Sequence, residues 1–299
     1  MRHKRMNSVE LLSNIGNVLQ INHDGLFLNI ALLEIESLLV HEEIIPIRYN
    51  KLMKRIERDG FQSAPVLVDR NTHVVLDGMH RTAVMKELGA QFICVCLLDY
   101  FNPSIKIQRW CRVISGPFNE EIAESLLGSI SLCLEPIEDL DRLDEAKGLL
   151  LRFRESSYRL VSDDDLVETF KKCYELELKL FENGYEVLYC TESEVNSYLD
   201  SGRFEAVIYP PKLRKQQVLD AAINGMVFPP KTTRHILPAR LADVNVPLSL
   251  LMNKEISLDE ANMSLAKMIN NKKVKRIEDG AMWMDRICDE VLYVFSEPN

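Results

Sequence analysis

Two short apolar runs separated by a polar turn restrict the fold of this chain more than any other feature. Residues 65–69 and 73–76 are rich in valine and leucine, and Arg70-Asn71-Thr72 lies between them. Runs of this length around polar turn residues are typical of a β-hairpin. The second run ends in Asp77-Gly78, and residues 81–88 then have the pattern of a helix. The sequence therefore predicts a strand that ends in Asp-Gly directly before a helix.

The elements around this hairpin complete an α+β unit. Residues 32–38 alternate imperfectly between apolar and polar side chains, which suits a half-buried strand. Residues 49–59 carry apolar side chains at helical spacing, and Gly60 follows where a helix C-cap is expected. Residues 92–98 form another apolar run that predicts a strand. The block thus reads strand, helix, hairpin, helix, strand.

The rest of the chain predicts a second domain and a C-terminal extension within an overall α+β fold class. We expect an N-terminal extension over residues 1–28, with a short helix at 8–19, and a first domain over 29–115. A second α/β domain over 116–243 and the extension over 244–299 follow. In this later part we predict helices at 119–128, 163–181, 192–201, 212–225 and 258–270, and strands at 157–161, 186–190, 205–209 and 290–295.

The composition is that of a cytoplasmic globular protein. Apolar residues make up 46% of the chain and charged residues 27%. No apolar run approaches the roughly 20 residues that span a bilayer, and no long apolar segment follows the basic N-terminus. None of the seven cysteines forms a C-x-x-C pair. We therefore expect no membrane partner, and reduced thiols that pack in the core rather than bind zinc.

The net charge of −9 argues against a nucleic-acid partner. An acidic protein repels a polyanion unless it presents a locally basic face. The basic stretches considered for such a face are short, at residues 2–5, 212–215 and 272–276. They are more typical of solvated surface, so we do not expect nucleic-acid binding.

The Asp77-Gly78-Met79-His80-Arg81 segment has the features of a phosphate-binding turn. A strand that leads directly into a helix places main-chain N–H groups at the positive end of the helix dipole, where phosphate binds. Gly78 permits close approach of the backbone, Arg81 can donate two parallel hydrogen bonds, and Thr82 can contact an oxygen. The alternative is an ordinary helix start that Asp77 caps.

An acidic residue and a basic loop are further candidates for a site. Glu42 lies between a predicted strand and a predicted helix, where a carboxylate could accept a proton from an attacking alcohol. The alternative role for either glutamate is to favour a helix N-terminus, and we assign that role to Glu43. Residues 229–235, Pro-Pro-Lys-Thr-Thr-Arg-His, can recognise a carboxylate or phosphate, or can be a solvated polar loop.

Taken together, these motifs resemble those of the ParB N-terminal/sulfiredoxin superfamily, and within it the free L-serine kinases. These comprise an archaeal ADP-dependent enzyme and an ATP-dependent relative from a bacterial siderophore cluster. The resemblance covers most of residues 31–110 and resumes around 225–240. It implies a ParB/sulfiredoxin-like nucleotide-binding domain at 29–115 and transfer of a phosphoryl group from ATP or ADP, with Mg²⁺, to the hydroxyl of L-serine.

The resemblance also implies roles for individual residues. Glu42 matches the catalytic base, and Asp77 matches an acidic catalytic residue that positions Mg²⁺ or the reacting groups. Met79 stands where sulfiredoxins have their catalytic cysteine and the archaeal kinase has histidine, which excludes sulfiredoxin chemistry. The implied nucleotide-binding residues are Gly78, Met79, His80, Arg81 and Thr82, and the implied serine-binding residues are Trp110, Thr232, Thr233, Arg234 and His235.

The expected partners are L-serine and a nucleotide, and a homodimer is compatible with the resemblance. Two other functions remain open at this point. One is a ParB-like nucleotide-dependent switch on DNA, which would need a basic DNA-reading element. The other is a ligand-sensing transcriptional regulator that has lost catalysis.

Overall fold

The structure is a computed structural model that describes residues 19–137, 148–161, 165–283 and 286–298. The chain forms two compact units. The first combines the described residues up to Lys106 with those from His235 onward, and the second runs from Ile107 to Arg234. The boundaries predicted from the sequence lie after residues 115 and 243. The helix expected at 8–19 lies outside the described residues, apart from Leu19.

The strands and helices follow one another along the chain as a mixed α+β arrangement. The strands are β1 (Leu19–His23), β2 (Leu26–Glu34), β3 (Phe61–Gln62), β4 (Val66–Asp69), β5 (Val75–Asp77), β6 (Phe92–Leu98), β7 (Lys106–Gln108), β8 (Cys111–Ser115), β9 (Cys133–Pro136), β10 (Leu149–Phe153), β11 (Ser157–Val161), β12 (Glu186–Cys190), β13 (Phe204–Tyr209), β14 (Arg234–Ile236), β15 (Ala239–Ala242), β16 (Val246–Pro247), β17 (Lys273–Ile277), β18 (Met282–Trp283), β19 (Arg286–Ile287) and β20 (Val291–Ser296). The helices are α1 (Pro46–Asp59), α2 (Met79–Glu87), α3 (Glu120–Gly128), α4 (Leu166–Glu182), α5 (Val195–Asp200), α6 (Lys215–Ile223), α7 (Leu248–Leu251) and α8 (Leu258–Asn270). No helix in the described ranges is long and apolar enough to cross a membrane.

The first unit is built on a five-stranded sheet in the order β1-β2-β6-β4-β5. Strands β4 and β6 are parallel, whereas β4 pairs with β5 as the predicted antiparallel hairpin. Cys94 and Cys96 of the central strand β6 are fully buried, as their apolar setting predicts. Helix α1 begins at Pro46 and ends before Gly60, which has a φ of 74° as expected of a glycine C-cap.

The N-terminal end of this sheet differs from the prediction. The expected strand at 32–38 is instead the end of β2, and Ile35–Ser37 form a 3₁₀ turn. Strands β1 and β2 form a hairpin in which His23 pairs with Leu26 around Asp24-Gly25. Both turn residues have positive φ, a conformation that Asp-Gly adopts at low cost. Part of the expected N-terminal extension is therefore an edge of the sheet.

The C-terminal segment packs into the first unit rather than forming a separate extension. The Asn262 side chain of α8 accepts a hydrogen bond from the Leu32 N–H at 2.8 Å and donates one to the Leu32 carbonyl at 3.1 Å. Strand β20 pairs in parallel with β15 and antiparallel with β17. Strands β15, β17 and β20 therefore belong to the first unit.

The second unit is an antiparallel sheet in the order β12-β8-β13-β10-β11-β9 with helices on both faces. One core contains Ile114 and Leu151 with α3 and α4, and the opposite core contains Val113 and Val207 with α5. Strand β8, which the sequence did not predict, is the second strand from one edge. Arg112 in the middle of β8 is only 1% exposed and pairs with Glu177 of α4.

Candidate functional site

The phosphate turn has the predicted strand-to-helix geometry. Strand β5 ends at Asp77, and α2 begins at Met79, two residues earlier than the sequence indicates. Gly78 between them has a φ of 111°. A Cβ atom on Gly78 would lie 3.1 Å from Val66 Cγ2 and 3.1 Å from Arg81 Nη1. Both the backbone conformation and the lack of space therefore require glycine.

The first turn of α2 is fixed by its own side chains. The Thr82 N–H donates to the Gly78 carbonyl at 2.9 Å, and the buried Thr82 hydroxyl donates to the same oxygen at 3.2 Å. The N–H groups of a first helical turn have no partner within the helix, so they can donate to an anion. The Met79 side chain lies largely in the core.

His80 and Arg81 connect this turn to its surroundings. His80 Nε2 accepts a hydrogen bond from the Ile45 N–H at 2.9 Å, and Arg81 Nη1 donates to the Pro65 carbonyl at 2.8 Å. These two predicted nucleotide-binding side chains therefore each hold a neighbouring backbone segment. That role in shaping the turn was not evident from the sequence.

The segment that carries Glu42 is attached to the phosphate turn on both sides of this residue. On one side His41 is fully buried and its Nδ1–H donates to the carbonyl of Val75 in β5, at 2.8 Å. On the other side Ile45 bonds to His80 of α2. The half-buried Glu42 is therefore held beside the end of β5 and the start of α2, although more than 30 residues separate it from them in sequence.

Asp77 forms an ion pair with Arg240 of β15. Arg240 Nε also lies 3.4 Å from Glu290 Oε1, and its Nη2 donates to the His235 carbonyl at 3.3 Å. Burial would raise the pKa of the Asp77 carboxyl, but the charges of Arg240 and Arg81 outweigh it and bring this pKa to about 2. Asp77 is thus ionised at neutral pH. Sequence reasoning missed Arg240 because it lies outside every motif.

Two buried histidines lie behind Asp77. The His41 and His235 rings are 5.8 Å apart in an edge-to-face arrangement. Tyr100 OH donates to His235 Nε2 at 2.7 Å, and the same ring hydrogen-bonds the backbone of Leu76. Burial lowers the pKa of His41 to about 4 and that of His235 to about 3, so both are neutral at pH 7. In this arrangement His235, predicted to bind serine, supports the end of β5.

The second unit contains a group of cations around an aromatic ring, which we call the Trp110 cluster (Trp110, Tyr189, Lys231 and Arg234). Lys231 Nζ lies 4.7 Å from the Trp110 ring centroid, and Arg234 Cζ lies 5.2 Å from it. Tyr189 meets Trp110 edge to face at 6.5 Å, and Lys231 is also 5.6 Å from the Tyr189 ring. The predicted residues Trp110 and Arg234 are therefore brought together, with Tyr189 as an addition that sequence reasoning missed.

The backbone beneath the Trp110 cluster is held by buried polar groups. Arg112 donates to the carbonyls of Trp110 at 2.7 Å and Lys231 at 3.2 Å, and its Nε lies 3.2 Å from Glu177 Oε2. The buried Thr232 hydroxyl donates to the Pro229 carbonyl at 2.8 Å, so this predicted substrate residue shapes the loop. Thr233, beside it, is half-buried. A rigid cationic loop over an aromatic ring is suited to a carboxylate.

Comparison with known proteins identifies the family to which these features belong. No protein-family model matches the chain. An ATP-dependent L-serine kinase of Staphylothermus marinus is 30% identical to it over 243 residues, which cover 74% of this chain and 90% of the relative. The chain belongs to the L-serine kinase family. The ADP-dependent L-serine kinase SerK of Thermococcus kodakarensis is also similar, with 26% identity over 73% of this chain and 91% of the relative.

Two solved structures share the fold of this chain. A free serine kinase in complex with AMP superimposes with a TM-score of 0.64 at 24% identity, covering 74% of this chain and 93% of that one. SbnI from Staphylococcus aureus, with a C-terminal truncation, gives a TM-score of 0.66 at 19% identity and covers 81% of this chain and 95% of that one. The fold class and the resemblance inferred from the sequence are therefore confirmed.

Proposed function

We propose that this serine kinase family member transfers a phosphoryl group from ATP or ADP to the hydroxyl of free L-serine and releases O-phospho-L-serine. The observation that carries the proposal is the 30% identity to an ATP-dependent L-serine kinase over 90% of that relative. The phosphate turn offers main-chain N–H groups to nucleotide phosphates, and the loop at residues 229–235 offers cations to a carboxylate. The product would serve the synthesis of cysteine, of a siderophore precursor or of another product.

The nucleotide phosphates are proposed to bind at the N-terminus of α2, at Gly78, Met79, His80, Arg81 and Thr82. The main-chain N–H groups of this turn would donate to phosphate oxygens, and the helix dipole would add to the attraction. Three hydrogen bonds support this role because they hold the turn in place before the nucleotide arrives: Ile45 N–H to His80, Arg81 to the Pro65 carbonyl, and the Thr82 hydroxyl to the Gly78 carbonyl.

Glu42 is proposed as the general base. Its carboxylate would take the proton of the serine hydroxyl while that oxygen forms a bond to phosphorus and the bond from phosphorus to the departing nucleotide breaks. The anchoring of the Glu42 segment to β5 and α2 supports the assignment, since a base must be held at a fixed distance from the reacting phosphate.

Asp77 is the residue proposed to hold Mg²⁺. In phosphoryl transfer this ion is bound by one or two carboxylates together with the substrate phosphates, and it offsets their negative charge. An ionised carboxylate at the phosphate turn fits that pattern.

The Trp110 cluster, together with Thr232 and Thr233, is proposed to recognise serine. Arg234 would pair with its carboxylate, and Trp110 would pack against it. Lys231 has a φ of 64°, which is unusual for a residue other than glycine, so the loop holds this cation in a specific conformation. His235 would act indirectly, through its bonds behind Asp77.

The experiment that tests the proposal is a nucleotide panel. The full chain is incubated with Mg²⁺, free L-serine and either ATP or ADP, and O-phosphoserine is followed by phosphorus NMR and mass spectrometry. We expect product with at least one donor and none with D-serine or without protein. Nucleotide binding without any product would overturn the kinase assignment and favour a nucleotide-dependent switch.

A further inference from the structure

Helix α1 presents a row of exposed cations that the proposed chemistry does not use. Arg48, Lys51, Arg55 and Arg58 recur at intervals of three and four residues, which places them on one face of the helix, and Lys54 lies beside them. All five are exposed. We call these five residues the α1 basic face. It was not among the basic stretches considered in the sequence analysis.

Most of these charges are not used in ion pairs. Within the described ranges Arg58 pairs with Asp59, whereas Arg48, Lys51, Lys54 and Arg55 form no salt bridge. Like charges three and four residues apart destabilise a helix by about 0.2–0.5 kcal/mol per pair. The acidic residues of α1, Glu57 and Asp59, lie in its last turn, so residues 46–55 carry cations as their only charges. The arrangement therefore suggests an anionic ligand.

The α1 basic face adjoins the phosphate turn. Helix α1 packs against α2, and the residue before α1, Ile45, bonds to His80 in the first turn of α2. Burial lowers the pKa of Arg81, and the charge of Arg55 lowers it further after that of Arg240, so Arg55 acts electrostatically on the turn itself. The cations thus extend the positive region that begins at the N-terminus of α2.

A positive region near the phosphate turn offsets the negative net charge of the chain. The chain carries a net charge of −9, which repels an anionic nucleotide at long range. A local row of cations can reverse that repulsion near the site, because charges act over about 10 Å at moderate salt. Helix α1 is about 20 Å long at the usual rise per residue, so its row reaches well beyond the turn.

We propose that the α1 basic face attracts the nucleoside di- or triphosphate and guides it to the phosphate turn. The inference rests on the proposed function, because it assumes a nucleotide at that turn. Arg55 acts on Arg81 directly, and Arg48, Lys51 and Lys54 add to the positive field of the same helix. The face raises the rate of nucleotide association and leaves the chemical step unchanged.

The test measures binding rather than turnover. A fluorescent ADP analogue with Mg²⁺ is mixed with the full chain in a stopped-flow instrument at about 20 mM and about 200 mM ionic strength. The variant Lys51→Gln/Lys54→Gln/Arg55→Gln is compared with Lys254→Gln/Lys273→Gln/Lys275→Gln. The second set removes three exposed cations of the same unit that lie outside α1 and outside the site. Both variants change the net charge by the same amount, and thermal melts check that both are folded.

We expect the α1 variant to lose about tenfold in association rate at low ionic strength and to show a flatter salt dependence. Its turnover number at saturating nucleotide should stay within about twofold of the parent, since guidance does not alter the transition state. The control variant should associate like the parent. Equal losses in both variants, or none in either, would overturn the proposal, as would duplex DNA binding that the α1 variant abolishes while nucleotide association is unchanged.

The outcome is separable from that of the proposed function. Salt-dependent nucleotide association that requires the α1 basic face, in a protein that makes no O-phosphoserine, would support the guidance role and refute the kinase. If the protein makes O-phosphoserine and these cations do not affect nucleotide association, the kinase assignment is supported and the guidance role is refuted.

Discussion

Arg240 of β15 pairs with Asp77 at the end of β5, so the C-terminal segment supplies the charge that keeps the carboxylate of the phosphate turn ionised. The same guanidinium contacts Glu290 and the His235 carbonyl, which fixes its position. Asp77 therefore depends on residues more than 150 positions away in sequence.

Replacement of Arg240 by glutamine should change the pH dependence of nucleotide binding. Without this guanidinium the pKa of Asp77 rises from about 2, so protonation of Asp77 should begin to weaken nucleotide binding in the presence of Mg²⁺ at a pH about one unit higher than in the parent. Arg240→Lys should restore part of the shift. Arg276→Gln, which removes an exposed ion pair with Glu278 in the same unit, is the control. An unchanged pH dependence of nucleotide binding would mean that the ionisation of Asp77 does not limit that binding.

Replacement of Glu42 by glutamine should remove the general base and little else. We expect kcat to fall by about 10²- to 10⁴-fold while the nucleotide dissociation constant and the melting temperature stay near those of the parent. Glu43→Gln is a matched control, because it removes the neighbouring exposed carboxylate and should retain activity. Full activity of Glu42→Gln would refute the assignment of the base.

Replacement of Gly78 by alanine should lower the free energy of unfolding by more than the strained backbone conformation alone explains. Gly25 and Gly78 both have positive φ, but a Cβ at Gly25 meets no atom within 4 Å, whereas one at Gly78 meets Val66 and Arg81. Gly25→Ala should therefore lose about 1–2 kcal/mol of unfolding free energy from conformation only. Gly78→Ala should lose more and should also weaken nucleotide binding. Urea unfolding of both variants, with nucleotide titration, measures the difference, and equal losses would contradict the crowding argument.

The buried histidines should make the protein sensitive to acid. Burial lowers the pKa of His41 to about 4, below the value near 6.5 that applies in the unfolded chain. Between these two values the unfolded state binds more protons, so the free energy of unfolding falls as the pH drops, by up to about 1.4 kcal/mol per unit for this histidine.

His41→Gln should flatten this decline between pH 6.5 and about 4, as measured by urea unfolding across the range. His73→Asn is the control, because it also removes an imidazole but from a turn residue with φ of 58°, where asparagine is tolerated. A decline in His41→Gln as steep as in the parent would assign the acid sensitivity to other groups.

The sequence determined the local elements and the identity of the family. Apolar period and turn chemistry predicted the β4–β5 hairpin, the helices α1, α3, α4 and α8, and strands such as β6 and β11, because each depends on residues close together in the chain. Asp77-Gly78 could be recognised as a strand-to-helix turn for the same reason. The β1–β2 hairpin was within reach as well, since its Asp24-Gly25 turn is a known signal.

Only the tertiary structure decided which distant groups share a site. Arg112 reads as a surface residue, yet it is buried because Glu177 of α4 neutralises it, and this hid strand β8. Arg240 and Tyr189 belong to no motif and acquire their roles through contacts with Asp77 and Trp110. Local sequence pattern fixes backbone conformation, whereas burial, ion pairing and pKa depend on neighbours that only the folded chain brings together.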